Sequence, residues 1–208
     1  MAEDRGRAAV GPDEEPSSSV GSAAARPRSF RVPWGWIASI AGIALVIGLL
    51  NAYVAEPFTV PSASMENTLK PGDRLIVDKL SYASHPPRRG DVLVFDGDDA
   101  FGGGGDYVKR VIGIGGDTVR CCDADGRITV NGRPLHESGY LYPHNAPSKT
   151  RFSVTVPKGR LWVMGDHRAD SSDSRDHLGD PGGGMVPLDM VVGRVDWVVW
   201  PVSRWRSL

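Results

Sequence analysis

Residues 32–55, VPWGWIASIAGIALVIGLLNAYVA, contain no Asp, Glu, Lys or Arg, and this stretch constrains the chain more than any other. The run 37–50 is interrupted only by Ser39, and Trp34, Trp36 and Tyr53 extend it to the ~20 residues that cross a bilayer as a helix. Aromatic residues at both ends suit membrane–water interfaces. A buried helix in a soluble protein rarely runs so long without charge, and a cleaved secretory signal needs a shorter apolar core near the N-terminus. The segment is therefore expected to be a single transmembrane helix. Arg26, Arg28 and Arg31 crowd its N-terminal side, whereas the first basic residue beyond it is Lys70. The positive-inside rule then leaves the N-terminus in the cytoplasm and exports residues 56–208 across the cell membrane.

The zones on either side differ in kind. Residues 1–31 hold five basic and five acidic residues among Ser, Ala, Pro and Gly, with few large apolar groups. Such a tail cannot bury enough apolar surface to offset its chain entropy and is expected to be a disordered cytoplasmic tail. Subtracting its charges from the chain's 24 basic and 25 acidic residues leaves 19 and 20 for the exported part. That balance argues against a nucleic-acid binder, which needs a marked positive excess. The two cysteines, adjacent at Cys121 and Cys122, exclude a disulfide-built scaffold. They either form a vicinal bridge in an oxidising exterior or remain a free pair.

Beyond residue 56 the chain reads as mostly β, an extracytoplasmic domain with Gly-rich loops. Strict alternation over 151–156 places Phe152, Val154 and Val156 on one face. Residues 74–80, 91–95, 107–114, 127–130, 160–164 and 190–200 are short and rich in β-branched residues. Turn-forming pairs such as Pro71-Gly72, Gly115-Gly116 and Asn131-Gly132 separate them. No long helical period appears outside the apolar segment.

Three polar constellations could carry chemistry. PSASMENTL (61–69) brings Ser62 and Ser64 just past the apolar segment, where a plain polar connector is the simpler reading in isolation. DYVKRVIGIGGD (106–117) sets Lys109 in an apolar strand, with Tyr107, Lys109 and Val111 on one face and Val108, Arg110 and Ile112 on the other. Taken alone, a snorkelling edge-strand lysine is the simpler reading there. MGDHRADSSDSRDHLGD (164–180) is dense in Asp, Ser, Arg and His, and Arg–Asp pairing would hold such a loop together. Its spacing matches neither a calcium loop nor a zinc motif, so no metal and no cofactor are expected. A G-x-S-x-G elbow and an S-x-x-K signature are absent.

In their order along the chain, these segments resemble bacterial type I signal peptidases, membrane-bound Ser/Lys proteases that remove signal peptides from exported proteins. The helix is followed by PSASMENTL in place of the serine box, then GDRLIVDKLSY (72–82), RGDVLVF (89–95), YVKRVIGIGGD in place of the lysine box, and GDHRADSSDSR (165–175). The resemblance implies a signal-peptidase-like β domain, with Ser64 as nucleophile and Lys109 as general base. It also implies that Ser62 assists the oxyanion hole, that Ser171 orients the lysine amine and that Asp173 with Arg175 forms a supporting ion pair. Phe58, Val60, Met65, Leu69 and Val108 match positions shaping shallow pockets for the small residues, typically Ala-x-Ala, that precede the cleaved bond. The implied partners are signal peptides of secretory preproteins and the lipid bilayer, with no obligate protein partner evident. Departures surround the pair: Glu66 and Asn67 where a Pro is common, Gly115 for Pro, His167 for Asn, and Ala169 and Asp170 where Asp and Asn are common.

The chemistry behind this assignment is general. A serine hydroxyl needs a base to take its proton, and a lysine of pKa ~10.4 is protonated near neutrality. It serves as a base only if desolvated and kept from a close carboxylate. Val108 and Ile112 are expected to help bury it, Arg110 to point away, and an ion pair with Asp106 would work against the mechanism. Trp197, Trp200 and Trp205 suit either a lipid interface or the β core. A specialised maturation protease of the same superfamily, or a catalytically silent membrane-anchored peptide-binding module, are the competing readings.

Overall fold

A computed structural model of the chain describes residues 33–208 apart from Gly104, and leaves the side chains of Asn51, Ala52 and Asp99 undescribed. The expected disordered tail and Arg26, Arg28 and Arg31 lie outside the described residues. The chain divides into two units, Met1–Ser39 and Ile40–Leu208; all strands belong to the second.

The first element, α1 (Trp34–Tyr53), is an uncharged helix of 20 residues whose described side chains are all exposed. The transmembrane span expected over 32–55 is not shown as such: among the described residues no helix is long and apolar enough to cross a membrane.

The strands follow as β1 (Ala55–Thr59), β2 (Arg74–Asp78), β3 (Val92–Asp96), β4 (Asp106–Ile114), β5 (Thr118–Cys121), β6 (Ile128–Val130), β7 (Arg133–Pro134), β8 (Phe152–Thr155), β9 (Arg160–Met164), β10 (Val186–Pro187), β11 (Val191–Trp200) and β12 (Arg206–Ser207). Two short α-helices, α2 (Ser81–Ser84) and α3 (Gly97–Phe101), and four 3-10 turns interrupt them among the described residues. The larger sheet runs β1-β2-β11-β3-β4-β9-β10 with β12 on β11, and the smaller runs β7-β6-β5-β8. This is the mostly-β architecture expected from the alternating, turn-punctuated sequence.

The core explains why some strands do not alternate. In β3, Val92 and Val94 pack in one apolar cluster with Val60, Met65, Leu69 and Val108. Leu93 and Phe95 pack in another with Phe101, Val111 and Leu161. With both faces covered, every position wants an apolar side chain, hence VLVF. A third cluster joins Ile112, Trp162 and Met164 of the larger sheet to Val119, Ile128, Phe152 and Val156, so the single apolar face expected for 151–156 is used to pack the smaller sheet. The adjacent Cys121 and Cys122 are joined by a disulfide, with Cys121 in this cluster.

Strand β4 departs from simple alternation. Its pairing with β9 shifts register between Val111 and Gly113, and Val108 and Ile112 end in different clusters. Ile112 therefore does not join Val108 in one wall beside Lys109, as the two-residue period implied. Trp197, Trp200 and Trp205 are 46%, 53% and 63% exposed, which removes burial in the β core as their role.

Candidate active site

Ser64 sits in a single 3-10 turn, Ala63–Met65, entered through Ser62 in extended conformation. The buried Met65 and Leu69 pin this turn to the core, and the backbone N–H of His167 donates to the Ser64 carbonyl at 3.0 Å. Lys109 reaches the same point from the middle of β4, opposite Leu93 of β3. Its Nζ lies 2.7 Å from Ser64 Oγ, and the two residues are 3% and 6% exposed. Two segments 45 positions apart thus bring a hydroxyl and an amine into hydrogen-bond contact, away from bulk water. The Ser62 hydroxyl donates to Ser64 Oγ at 3.2 Å.

Burial dominates the electrostatics of the amine. It pushes the Lys109 pKa down to about 8, against the pull of the Asp173 carboxylate, while the Arg175 charge adds to the lowering. Asp106, which faces solvent, makes no ion pair with Lys109 among the described residues. Burial and the like charges of Asp96, Glu56 and Asp98 push its carboxyl upward.

The third constellation lies behind the pair. Asp173, fully buried, accepts from Gly165 N–H at 2.9 Å and from the Ser171 hydroxyl at 2.8 Å. Arg175 clasps its carboxylate at 2.8 Å through Nε and Nη2 and donates onward to the Arg168 carbonyl. Burial alone would raise the Asp173 carboxyl, but Arg175, Gly165 and Ser171 outweigh it and hold it below the usual range. The charge closest to the amine in electrostatic effect is thereby tied up by its own partners.

A cleft of about 300 Å³ opens onto Ser64 and Lys109. Val60, Met65 and Val108 line it, as do Ser62, Asp106, Asp170 and Ser172. Phe58 and Leu69 do not: Leu69 is wholly buried in the core and Phe58 packs against that cluster from outside. Apolar character alone does not separate these two from the residues that line the cleft. Among the described residues no group of His, Cys, Asp or Glu is arranged to hold a metal ion.

Several residues that position the site carry no signal of their own in the sequence. Arg110 grips Asp166 bidentately at 2.8 and 2.7 Å and lies over the Tyr140 ring, so the charge next to Lys109 is neutralised on a partner of its own. Thr68, four residues after Ser64, donates to the same carboxylate. Arg168 pairs with the buried Glu137. Gly165 leaves no space for a side chain: a Cβ there would lie 2.5 Å from the Ser64 carbonyl oxygen and 2.6 Å from the Ser171 Cβ. The GD dipeptide of the 164–180 loop is visible in the sequence, but only packing shows that its glycine leaves room for the serine turn.

A buried serine hydroxyl beside a desolvated amine at a cleft can do hydrolase chemistry of the serine class, the hydroxyl as nucleophile and the amine taking its proton. Comparison with known proteins agrees with that class. The family model described as signal peptidase, peptidase S26, matches residues 34–200. The probable signal peptidase I of Mycobacterium leprae is 36% identical, over 93% of this chain and 85% of its own. The signal peptidase I of Mycobacterium tuberculosis is 39% identical, over 81% and 73%. The probable signal peptidase I-1 of Synechocystis is 38% identical, over 85% and 89%. The chain belongs to the signal peptidase family, peptidase S26, and is a hydrolase, a serine endopeptidase.

Two outcomes are expected from this geometry. In Gly165→Ala the added methyl displaces the serine turn or Ser171, and a misplacement approaching ~1 Å lowers kcat/KM about 100-fold, while circular dichroism shows the fold retained. The second concerns stability. The folded-state pKa of Lys109 lies below its unfolded value, so the unfolded chain binds the proton more readily between about pH 8 and 10.5. The penalty is fully present below pH 8, about 3 kcal/mol, and stability rises with pH across that window. Lys109→Met should be inactive yet melt higher than the parent at pH 7, with the advantage largely gone by pH 10.

Proposed function

We propose that this protein is a membrane-bound endopeptidase that cleaves N-terminal signal peptides from exported preproteins after small residues, using Ser64 as nucleophile and Lys109 as general base. The observation that carries the reading is the 2.7 Å contact between Lys109 Nζ and Ser64 Oγ, both buried at the cleft. The names of the related signal peptidases supply the substrate class.

In this mechanism the neutral Lys109 amine accepts the Ser64 hydroxyl proton as Oγ attacks the carbonyl carbon of the scissile bond. The backbone N–H of Ser64 and the Ser62 hydroxyl stabilise the oxyanion. Collapse of the tetrahedral intermediate breaks the C–N bond, and the Lys109 ammonium protonates the departing amine. Water then attacks the acyl-enzyme, giving its proton to Lys109, and Ser64 is restored. Ser171, Asp173 and Arg175 act as positioning residues, because their hydrogen-bonded network backs the loop that holds the serine turn. Val60, Met65 and Val108 form the shallow walls. An extended peptide lying along strand edges turns alternate side chains into such walls, which favours small residues one and three positions before the cut. Phe58 and Leu69 shape those walls from behind.

Association with the bilayer accounts for two exposed apolar surfaces. The uncharged α1 presents its described side chains unburied, which water disfavours. Trp197, Trp200 and Trp205 stand on the outside of the β unit, as interfacial aromatics do. In this reading α1 anchors the chain, the N-terminus is cytoplasmic and residues 56–208 are extracytoplasmic.

Ser64→Ala and Lys109→Ala should each lower processing of a secretory preprotein by at least ~10³-fold; normal processing by either would reject the pair, and peptide binding without turnover by the parent would favour a silent binding module. The base must be neutral, so kcat/KM should climb with pH through about 8 and level above it. A limb rising only beyond pH 10 would mean an amine in contact with water. For the anchor, carbonate extraction of membranes should leave the full chain in the pellet and release a variant lacking residues 34–53.

A further inference from the structure

The charges lining the cleft are unevenly matched. Three residues with an amine or carboxylate side chain line it, Lys109, Asp106 and Asp170, and the first works as a base only when it has lost its charge. In the competent form the lining therefore carries two carboxylates and no cation. Neither carboxylate forms an ion pair among the described residues, whereas two acids behind the reacting pair do: Asp166 is held by Arg110 and Asp173 by Arg175. Asp106 stands at the start of β4 directly across from Asp96, and Asp96, Glu56 and Asp98 act on it with the same sign; Glu56 is held by Lys79 at 2.7 Å, so it is Asp96 and Asp98 that make this end of the cleft negative beyond its own carboxylate. Asp170 ends the 3-10 turn Arg168–Asp170, and its charge is felt at Lys109. Ser172 beside it, also on the cleft, meets His177 Nε2 at 3.3 Å, and His177 Nδ1 meets Asp180 at 2.6 Å while its ring stacks on Phe101. The rim carrying Asp170 is therefore held in place.

We infer that Asp170 and Asp106 make the cleft charge-selective: it favours a peptide with a lysine or arginine in the segment it holds and rejects one with an acidic residue there. The inference rests on the peptidase reading above and narrows its substrate class, from small residues at the cut to small residues accompanied by a nearby cation. A cleft with low-dielectric walls focuses the field of such carboxylates on whatever occupies it. Like charge placed there is penalised as well as opposite charge favoured, and discrimination draws on both.

The test uses the full chain in detergent micelles and short peptides built on an uncharged Ala-x-Ala reference, with Lys, Gln or Glu placed singly at each position from the fourth before to the second after the scissile bond. Binding is measured by fluorescence anisotropy to the Ser64→Ala protein, so the result does not require turnover. At one or more positions Lys should bind at least threefold tighter than Gln and Glu at least threefold weaker, with the spread shrinking in 0.5 M NaCl. Adding Asp170→Asn or Asp106→Asn to Ser64→Ala should bring the Lys/Gln ratio toward one. Equal binding of all three series by Ser64→Ala would overturn the inference whatever the cleavage result. A charge preference in binding, with no cleavage of any peptide by the parent, would keep it and reject the peptidase reading. With Ser64 intact, Asp170→Asn should also move the rising limb of the pH profile to lower pH, because removing a negative charge disfavours the ammonium; an unmoved limb would show that Asp170 does not act on the reacting pair.

Discussion

An amine taken out of water loses hydration that a single neutral hydroxyl does not replace, and the site is organised around holding Lys109 in that condition. Its Nζ has Ser64 Oγ at 2.7 Å, while two of the carboxylates that pull on it are occupied. Asp173 is spent on Arg175, Gly165 and Ser171, and Asp166 on Arg110 and Thr68. A carboxylate set free at either place would pull the amine back toward its ordinary value. The polar loop behind the cleft is in this sense part of the burial of the base, even though most of it does not line the cleft.

The sheet architecture makes that arrangement affordable. Strand β4 lies between β3 and β9 in the larger sheet, and Lys109 pairs with Leu93 of β3 one residue before the pairing with β9 begins at Arg110. The register shift of β4 at Val111 to Gly113 lets one strand serve several clusters. Val108 packs with the serine turn, Val111 with Phe95 and Phe101, and Ile112 with the smaller sheet. Movement of β4 would disturb the walls of the cleft and the base together.

Much of the fold was legible because strands and turns leave local marks. The segments around β2, β3, β4, β6, β8, β9 and β11 stood out as β-branched runs between Gly and Pro turns. Strands β7, β10 and β12 have two residues each, too few to show a period, and β1 is broken up by Pro57. The site was legible in part for a different reason. PSASMENTL, the lysine-bearing strand and the Asp/Ser/Arg loop are each contiguous, and the ordered set is what the family resemblance rests on. Glu137 as partner of Arg168, and Asp166 as partner of Arg110, were not legible, because ion pairs across 31 and 56 positions leave no spacing to read.

By itself the amino-acid sequence determined a mostly-β chain with an uncharged helical segment before it, and singled out Ser64 and Lys109 as residues able to do chemistry together. The first two follow from residue type and near-neighbour pattern, whereas the pairing of Ser64 with Lys109 rested on the ordered resemblance to the signal peptidases. Only the tertiary structure decided that Val60, Met65 and Val108 line the cleft while Leu69 is core, that the late tryptophans are exposed, that Gly165 makes room for the serine turn, and that Asp106 and Asp170 remain as the unpaired charges of the cleft. Those outcomes depend on which distant segments meet. Burial and electrostatic pairing are properties of that meeting and not of any one stretch of chain.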